Sequence, residues 1–180
     1  MHPNIRPCVI ALMLVPLALR PAASQTRAPD ADPLVQSMQD GAQHVRAMFT
    51  LAAEQMSEED FAFKPTPEVR SFGQLLAHVA ETNYGFCAAA LGEKAPVAHI
   101  EKGATDKATI QKALLESFTY CDRAFAAMND RANAIRMVSF HGGQRTAAVL
   151  LNFRNYHSLL HWGNAITYMR LRGKVPPSAG

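Results

Sequence analysis

Charge is scarce in this sequence. Only 18% of its 180 residues are Asp, Glu, Lys or Arg, which excludes long, solvated charged tails. The formal net charge is +3. Two of the 18 basic residues, Arg6 and Arg20, lie in an N-terminal stretch expected to be removed, which leaves 16 basic against 15 acidic residues. A chain so nearly neutral lacks the basic footprint of a nucleic-acid binder. The cluster Arg170-Leu171-Arg172-Gly173-Lys174 reads instead as cations placed at a helix C-terminus, where they suit the dipole. No apolar run reaches the ~20 residues of a membrane span. Strand signals are few and there is no internal repeat. No Gly-rich phosphate loop follows a strand, and no Ser-His-Asp nucleophile motif stands out.

What is present is an apolar fraction of 48%, enough for the core of one domain. Residues 1–24 have the layout of a signal peptide. A short start carries Arg6, an apolar run extends from Cys8 to Leu19, and the small residues Ala22-Ala23-Ser24 follow. Cleavage after Ser24 implies export, to the periplasm or the medium, with no stable membrane span afterwards. An uncleaved N-terminal anchor is the other reading. Residues 25–32 form a polar leader. Two cysteines, Cys87 and Cys121, remain after cleavage. They form one disulfide in an oxidising compartment or stay as two buried thiols.

Four helices are expected. The first covers about 33–56, with Asp32 as N-cap, Pro33 at the first helical position and apolar residues Leu34, Val35, Met38, Val45, Met48, Phe49 and Ala52. The second starts on a capping box, Ser71 with Gln74, and stops at Gly92. The third follows Thr105 or Asp106 and carries Ile110, Leu114, Leu115, Phe118, Cys121, Phe125 and Met128. A short extended stretch at 135–140 and a Gly-Gly turn precede the fourth, which Thr146 caps and Gly173 ends. The expected fold is all-α, a four-helix bundle over 33–178 with longish connecting loops, long enough for non-adjacent helices to pair or for loops to shape a site.

Seven histidines are available. His2 leaves with the leader, His99 and His141 fall in loops, and His44 reads as an ordinary helix histidine. His78, His157 and His161 lie inside helices. Residues at i and i+4 share a helix face, with Cβ atoms about 5–6 Å apart, so His157 and His161 can converge on one ion at ~2.0–2.1 Å. The spacing alone leaves open that they merely share a face. Val149, Phe153, Leu160 and Met169 supply apolar positions around that face and set it against the bundle interior. Leu75, Val79 and Phe86 mark the inner face of the second helix, where His78 sits. Three inward histidines from two helices leave an open position, the pattern of catalytic zinc sites.

The stretches "PTPEVRSFGQLLAHVAETNYGFC" and "ESFTYCDRAFAAM" and the ending "NYHSLLHWGNAITYMRLRGKVPPSA" resemble the DinB-like superfamily of metal-binding four-helix bundles. The resemblance covers about 33–178. It implies a divalent metal held by His78, His157 and His161. Where the family follows its last histidine with a basic residue, Gly and Gln, this chain has Trp162, Gly163 and Asn164. That departure puts any substrate contact from those side chains in question. Known members include cytoplasmic thiol-cofactor-dependent transferases, an activity that carries over poorly to an exported chain.

Imidazole suits Zn, Ni, Fe or Cu, so the sequence does not choose the metal. Glu81, one turn after His78, is the first candidate for a proton acceptor; it also reads as a partner orienting His78 or as a solvated charge. Tyr84 and Asn164 stand at helix spacings that reach a ligand. Two function classes follow. One is an exported metal-dependent hydrolase or transferase acting on a small molecule. The other is a non-catalytic metal- or ligand-binding bundle, within a stress response. A homodimer formed through helix faces is a third reading.

Overall fold

The computed structural model describes residues 32–177 apart from 98, 104, 105 and 130. The signal peptide over 1–24 and almost all of the leader over 25–32 lie outside the described residues. Four long helices dominate: α1 (Pro33–Gln55), α3 (Phe72–Leu91), α5 (Lys107–Ala127) and α7 (Ala147–Leu171). Three one-turn helices, α2 (Glu58–Ala62), α4 (Ile100–Gly103) and α6 (Arg131–Ile135), lie in the connections, with a hairpin of β1 (Met137–Phe140) and β2 (Gly143–Thr146). The bundle is therefore all-α but for that hairpin. The described residues include no helix long and apolar enough to cross a membrane.

The long helices begin where their caps dictate. Asp32 accepts from Leu34 N–H at 2.8 Å, Asp106 from Thr109 N–H at 2.8 Å and Thr146 from Val149 N–H at 3.3 Å. Ser71 and Gln74 exchange reciprocal bonds of 2.9 and 3.1 Å. Each satisfies N–H groups that the first helical turn leaves unpaired. Gly92, at φ 77°, ends α3 in the left-handed region. His141 and Gly142 form the two-residue hairpin turn, with φ 48° and 75°. Positive φ at both positions is what a type I′ hairpin requires.

Cross-helix pairs fix the directions. Asn83 meets Ser117 and Cys87 meets Cys121, so α3 and α5 run parallel. Asn83 meets Arg154, while His78 faces His157 and His161, so α7 runs antiparallel to α3. α1 packs on α5 and α7, and α3 packs on the same two helices. The chain thus crosses the bundle diagonally from α1 to α3 and from α5 to α7. A parallel α3–α5 pair requires a return along the bundle. Residues 92–106 make it, easily spanning the ~30 Å of a 20-residue helix. That return segment passes over the histidine face and carries α4 to it.

The core falls into two apolar clusters. One holds Phe49, Phe72, Leu76, Phe118 and Trp162. The other holds Phe86, Cys87, Cys121, Phe125 and Leu150. A buried polar layer separates them. Arg154 is 1% exposed. Its Nε donates to Asn83 Oδ1 at 2.8 Å and its Nη1 to Asn155 Oδ1 at 3.0 Å. Asn83 continues to Ser117 Oγ at 3.0 Å, and Asn155 donates to Met38 O at 2.9 Å. The guanidinium lies 5.0 Å from the Phe118 ring. Burial pushes Arg154 down to about 10, which still leaves it charged at neutral pH. Cys87 and Cys121 form a disulfide between α3 and α5, with Cα atoms 5.3 Å apart.

The structure corrects several expected core positions. Leu34 and Leu115 are exposed. On α7, Met169 is buried, but Val149, Phe153 and Leu160 face outward. The inner face of α7 is instead built from Leu150, Leu151, Arg154, Ser158, Trp162 and Ala165. The histidines lie at its margin.

Candidate metal centre

His157 and His161 stand one turn apart on α7, and α3 presents His78 opposite them. All three are half-buried. The ring centroids of His157 and His161 are 4.5 Å apart, and His78 lies 5.4 and 4.8 Å from them. Each ring offers one nitrogen, and the three nitrogens lie within 4.8 Å of one another. His157 Nε2 and His161 Nε2 are 3.2 Å apart.

Two neutral imidazoles placed this way need either a shared proton or a shared cation between their lone pairs. An N–H···N bond accounts for one pair and leaves His78 out. A cation accounts for all three. Nitrogens bound at ~2.1 Å around a tetrahedral ion stand ~3.4 Å apart; the His157–His161 pair is already at 3.2 Å, and nitrogens up to 4.8 Å apart close by roughly 1.4 Å to complete the set. The residues therefore fit a divalent ion.

Electrostatics hold the rings in the ligand form. Burial first, then His78, Arg154 and Arg70, push His157 down to about 4. Burial, His157, His78 and Arg70 do the same to His161. Neutral imidazole is the state that binds metal. The Nδ1 atoms of both rings are buried without a hydrogen-bond partner among the described residues.

His78 differs. Its Nδ1 lies 2.9 Å from Glu101 Oε2. A carboxylate on the far nitrogen fixes the tautomer, so that Nε2 presents its lone pair to the site. Arg70 grips the same carboxylate, with Nε 2.7 Å from Oε1 and Nη2 3.4 Å from Oε2. Burial pushes the Glu101 carboxyl up, but the bonds from Arg70 and His78 outweigh it and hold it below the usual range. Tyr168 on α7 donates to Arg70 O at 2.7 Å and secures the start of α3.

Glu81 lies beside this network. Its Oε2 accepts from Glu101 N–H at 3.1 Å, so it ties α4 to α3. Glu101 was not a sequence candidate. It falls in a segment that reads as a loop, 23 residues from its partner, and only the return path of the chain brings it back. Tyr84 is buried in the core against Tyr120. Trp162 is buried edge-on to Phe49 and is a packing residue. His44 and His99 are exposed. Exposed too is His141, but it reaches the margin of a cleft beside the triad.

Two clefts flank the histidines. The first, of about 560 Å³, opens on His78 and His157. It is mostly apolar, lined by Phe86, Phe140, Phe153, Ala95 and Val97, with Glu81, Thr82 and His141 among its polar members. The second, of about 730 Å³, opens on His161 and is lined by Glu68, Arg70, Glu101, Asn164, Thr167 and Tyr168 among others. Asn164 therefore lines this cleft.

The sequence matches the family model of the DinB superfamily over residues 42–165. Two solved structures share the fold. A DinB-like protein from Bacillus cereus ATCC 10987 is 15% identical with a TM-score of 0.67, over 81% of this chain and 94% of that one. A DinB-like protein from Bacillus subtilis, YjoA, is 19% identical with a TM-score of 0.59, over 79% of this chain and 97% of that one. Comparison with curated proteins gives no match. The chain belongs to the DinB superfamily.

Proposed function

We propose that this DinB superfamily member is an exported protein that binds one divalent transition metal, Zn, Ni or Fe, through His78, His157 and His161. It acts on a small molecule as a metal-dependent hydrolase or transferase. The observation that carries the reading is the convergence of three imidazoles from α3 and α7, with Nε2 atoms of His157 and His161 3.2 Å apart. Three histidines would hold the ion with a position to spare, and the two clefts reach His161 on one side and His78 and His157 on the other.

A divalent ion held by His78, His157 and His161 would supply Lewis acidity there. The chain supplies the rest. Glu101 orients His78 and offsets part of the site's positive charge. Glu81 lines the apolar cleft and is the candidate proton acceptor. The aromatic wall of Phe86, Phe140 and Phe153 receives the apolar part of a substrate, while Arg70, Asn164 and Thr167 receive polar groups on the other side. Export rests on the N-terminal sequence, and the Cys87–Cys121 disulfide agrees with an oxidising compartment.

Cobalt(II) substitution tests the reading. Visible d–d bands that change when azide is added are expected, because the open position exchanges. Bands unchanged by azide would leave a closed ion and favour the non-catalytic binding protein.

A further inference from the structure

The β1–β2 hairpin reaches the three histidines through a train of rings. Phe86 lies 5.4 Å from His157, Phe140 4.8 Å from Phe86, and His141 4.3 Å from Phe140. Two phenyl rings thus stand between His141 and the nearest ligand histidine of that train. All four residues, with His78, line the one apolar cleft of about 560 Å³, a volume suited to a small molecule. The hairpin is a firm wall for it. β1 packs on α3, and Arg145 Nη1 donates to Phe140 O at 3.2 Å across the turn.

The residue at the tip does nothing for the turn. The first central position of a type I′ hairpin usually takes Asn, Asp or Gly, and here it takes His141, at φ 48°. Among the described residues the imidazole makes no hydrogen bond or ion pair, and its one ring contact is Phe140. The other polar groups of the cleft are engaged. Thr82 Oγ1 donates to His78 O at 2.9 Å, and Glu81 Oε2 accepts from Glu101 N–H. His141 therefore brings a free N–H donor to a cleft whose wall is otherwise mostly apolar.

We infer that His141 is a substrate-contacting residue that selects an aromatic compound bearing an uncharged carbonyl. The ring of the substrate lies against Phe86, Phe140 and Phe153, and its carbonyl oxygen, at the end away from the metal ligands, accepts from the His141 imidazole. A carboxylate is disfavoured at that end, because the Glu81 carboxylate lines the same cleft and like charges repel. A site built to hydrogen-bond one group discriminates against an analogue that lacks it. The inference rests on the proposed function for the chemistry at the ion, whereas the affinity of the cleft itself needs no ion.

NMR titration of the purified protein, as isolated and again after chelation, tests the inference. The probes are 4-acetylbenzyl alcohol and 4-isopropylbenzyl alcohol, which share a shape and differ in the carbonyl. The acetyl probe is expected to bind about 5-fold tighter, the scale of one net hydrogen bond, and to shift the His141 ring resonances. The preference is expected in both metal states, so a failed metal centre leaves it standing. His141→Asn, which suits the turn, and His141→Gly, which removes the side chain, are expected to abolish the preference with helical circular dichroism unchanged. His141→Asn is also expected to hold or raise the melting temperature, which a merely structural role for the imidazole would lower. Equal affinity of the native protein for the two probes, no binding of either, or a preference that survives His141→Gly would overturn it.

Discussion

His78 Nδ1 and Glu101 Oε2 are 2.9 Å apart, although 23 residues of chain separate them. The contact joins α3 to the return segment that the parallel α3–α5 pairing makes necessary. Fold and site are linked at this point, since the strand of chain that solves a connection problem also delivers the carboxylate that orients a ligand.

Glu101→Gln is expected to weaken metal binding about 10–100-fold, the usual cost of losing a carboxylate behind a ligating histidine. Competition titration with a chromophoric chelator measures it. The fold is expected to survive, because Glu101 is only partly buried.

The disulfide closes a long loop between Cys87 and Cys121, with a sequence separation of 34. Replacing both cysteines by Ser is expected to lower stability by roughly 3–4 kcal/mol in the chain-entropy model. Chemical denaturation with and without reductant checks this. Reduction of the native protein is expected to reproduce the double variant, and to leave it unchanged once both cysteines are gone.

Arg154→Ala is expected to cost roughly 3–5 kcal/mol. It leaves Asn83 Oδ1 and Asn155 Oδ1 without their donor in the middle of the bundle and opens a cavity beside Phe118. Denaturant unfolding measures the loss.

The metal-free protein is expected to lose stability as pH falls from about 6.5 toward 4. His157 and His161 titrate near 4 in the folded chain, against 6.5 for a free imidazole. Between those values the unfolded chain binds protons that the folded chain refuses, so acid favours unfolding. Above 6.5 neither state is protonated at these rings and their contribution is constant. Thermal melts of chelator-treated protein across pH 4–7 check the sign. In His157→Ala the slope is expected to shrink.

The helix boundaries were legible because caps announce them: Asp32, Ser71 with Gln74, Asp106 and Thr146 all do in space what their positions imply. The three histidines were legible from i, i+4 spacing and from the resemblance that paired them with His78. The rotation of α7 was not. Apolar residues lie all around this helix, so periodicity could not say which side is inner. Val149 and Leu160 face outward while Arg154 and Ser158 are buried. Glu101 was illegible for another reason. It depends on the path of a long connection, and local sequence carries no record of that path.

Metal content of the native protein, purified without a histidine tag and set beside His157→Ala, tests the central claim most directly. Elemental mass spectrometry is expected to find about one equivalent of a divalent transition metal per chain, lost in the variant. A native protein with no metal after reconstitution, or a variant that keeps its metal, would contradict the three-histidine centre.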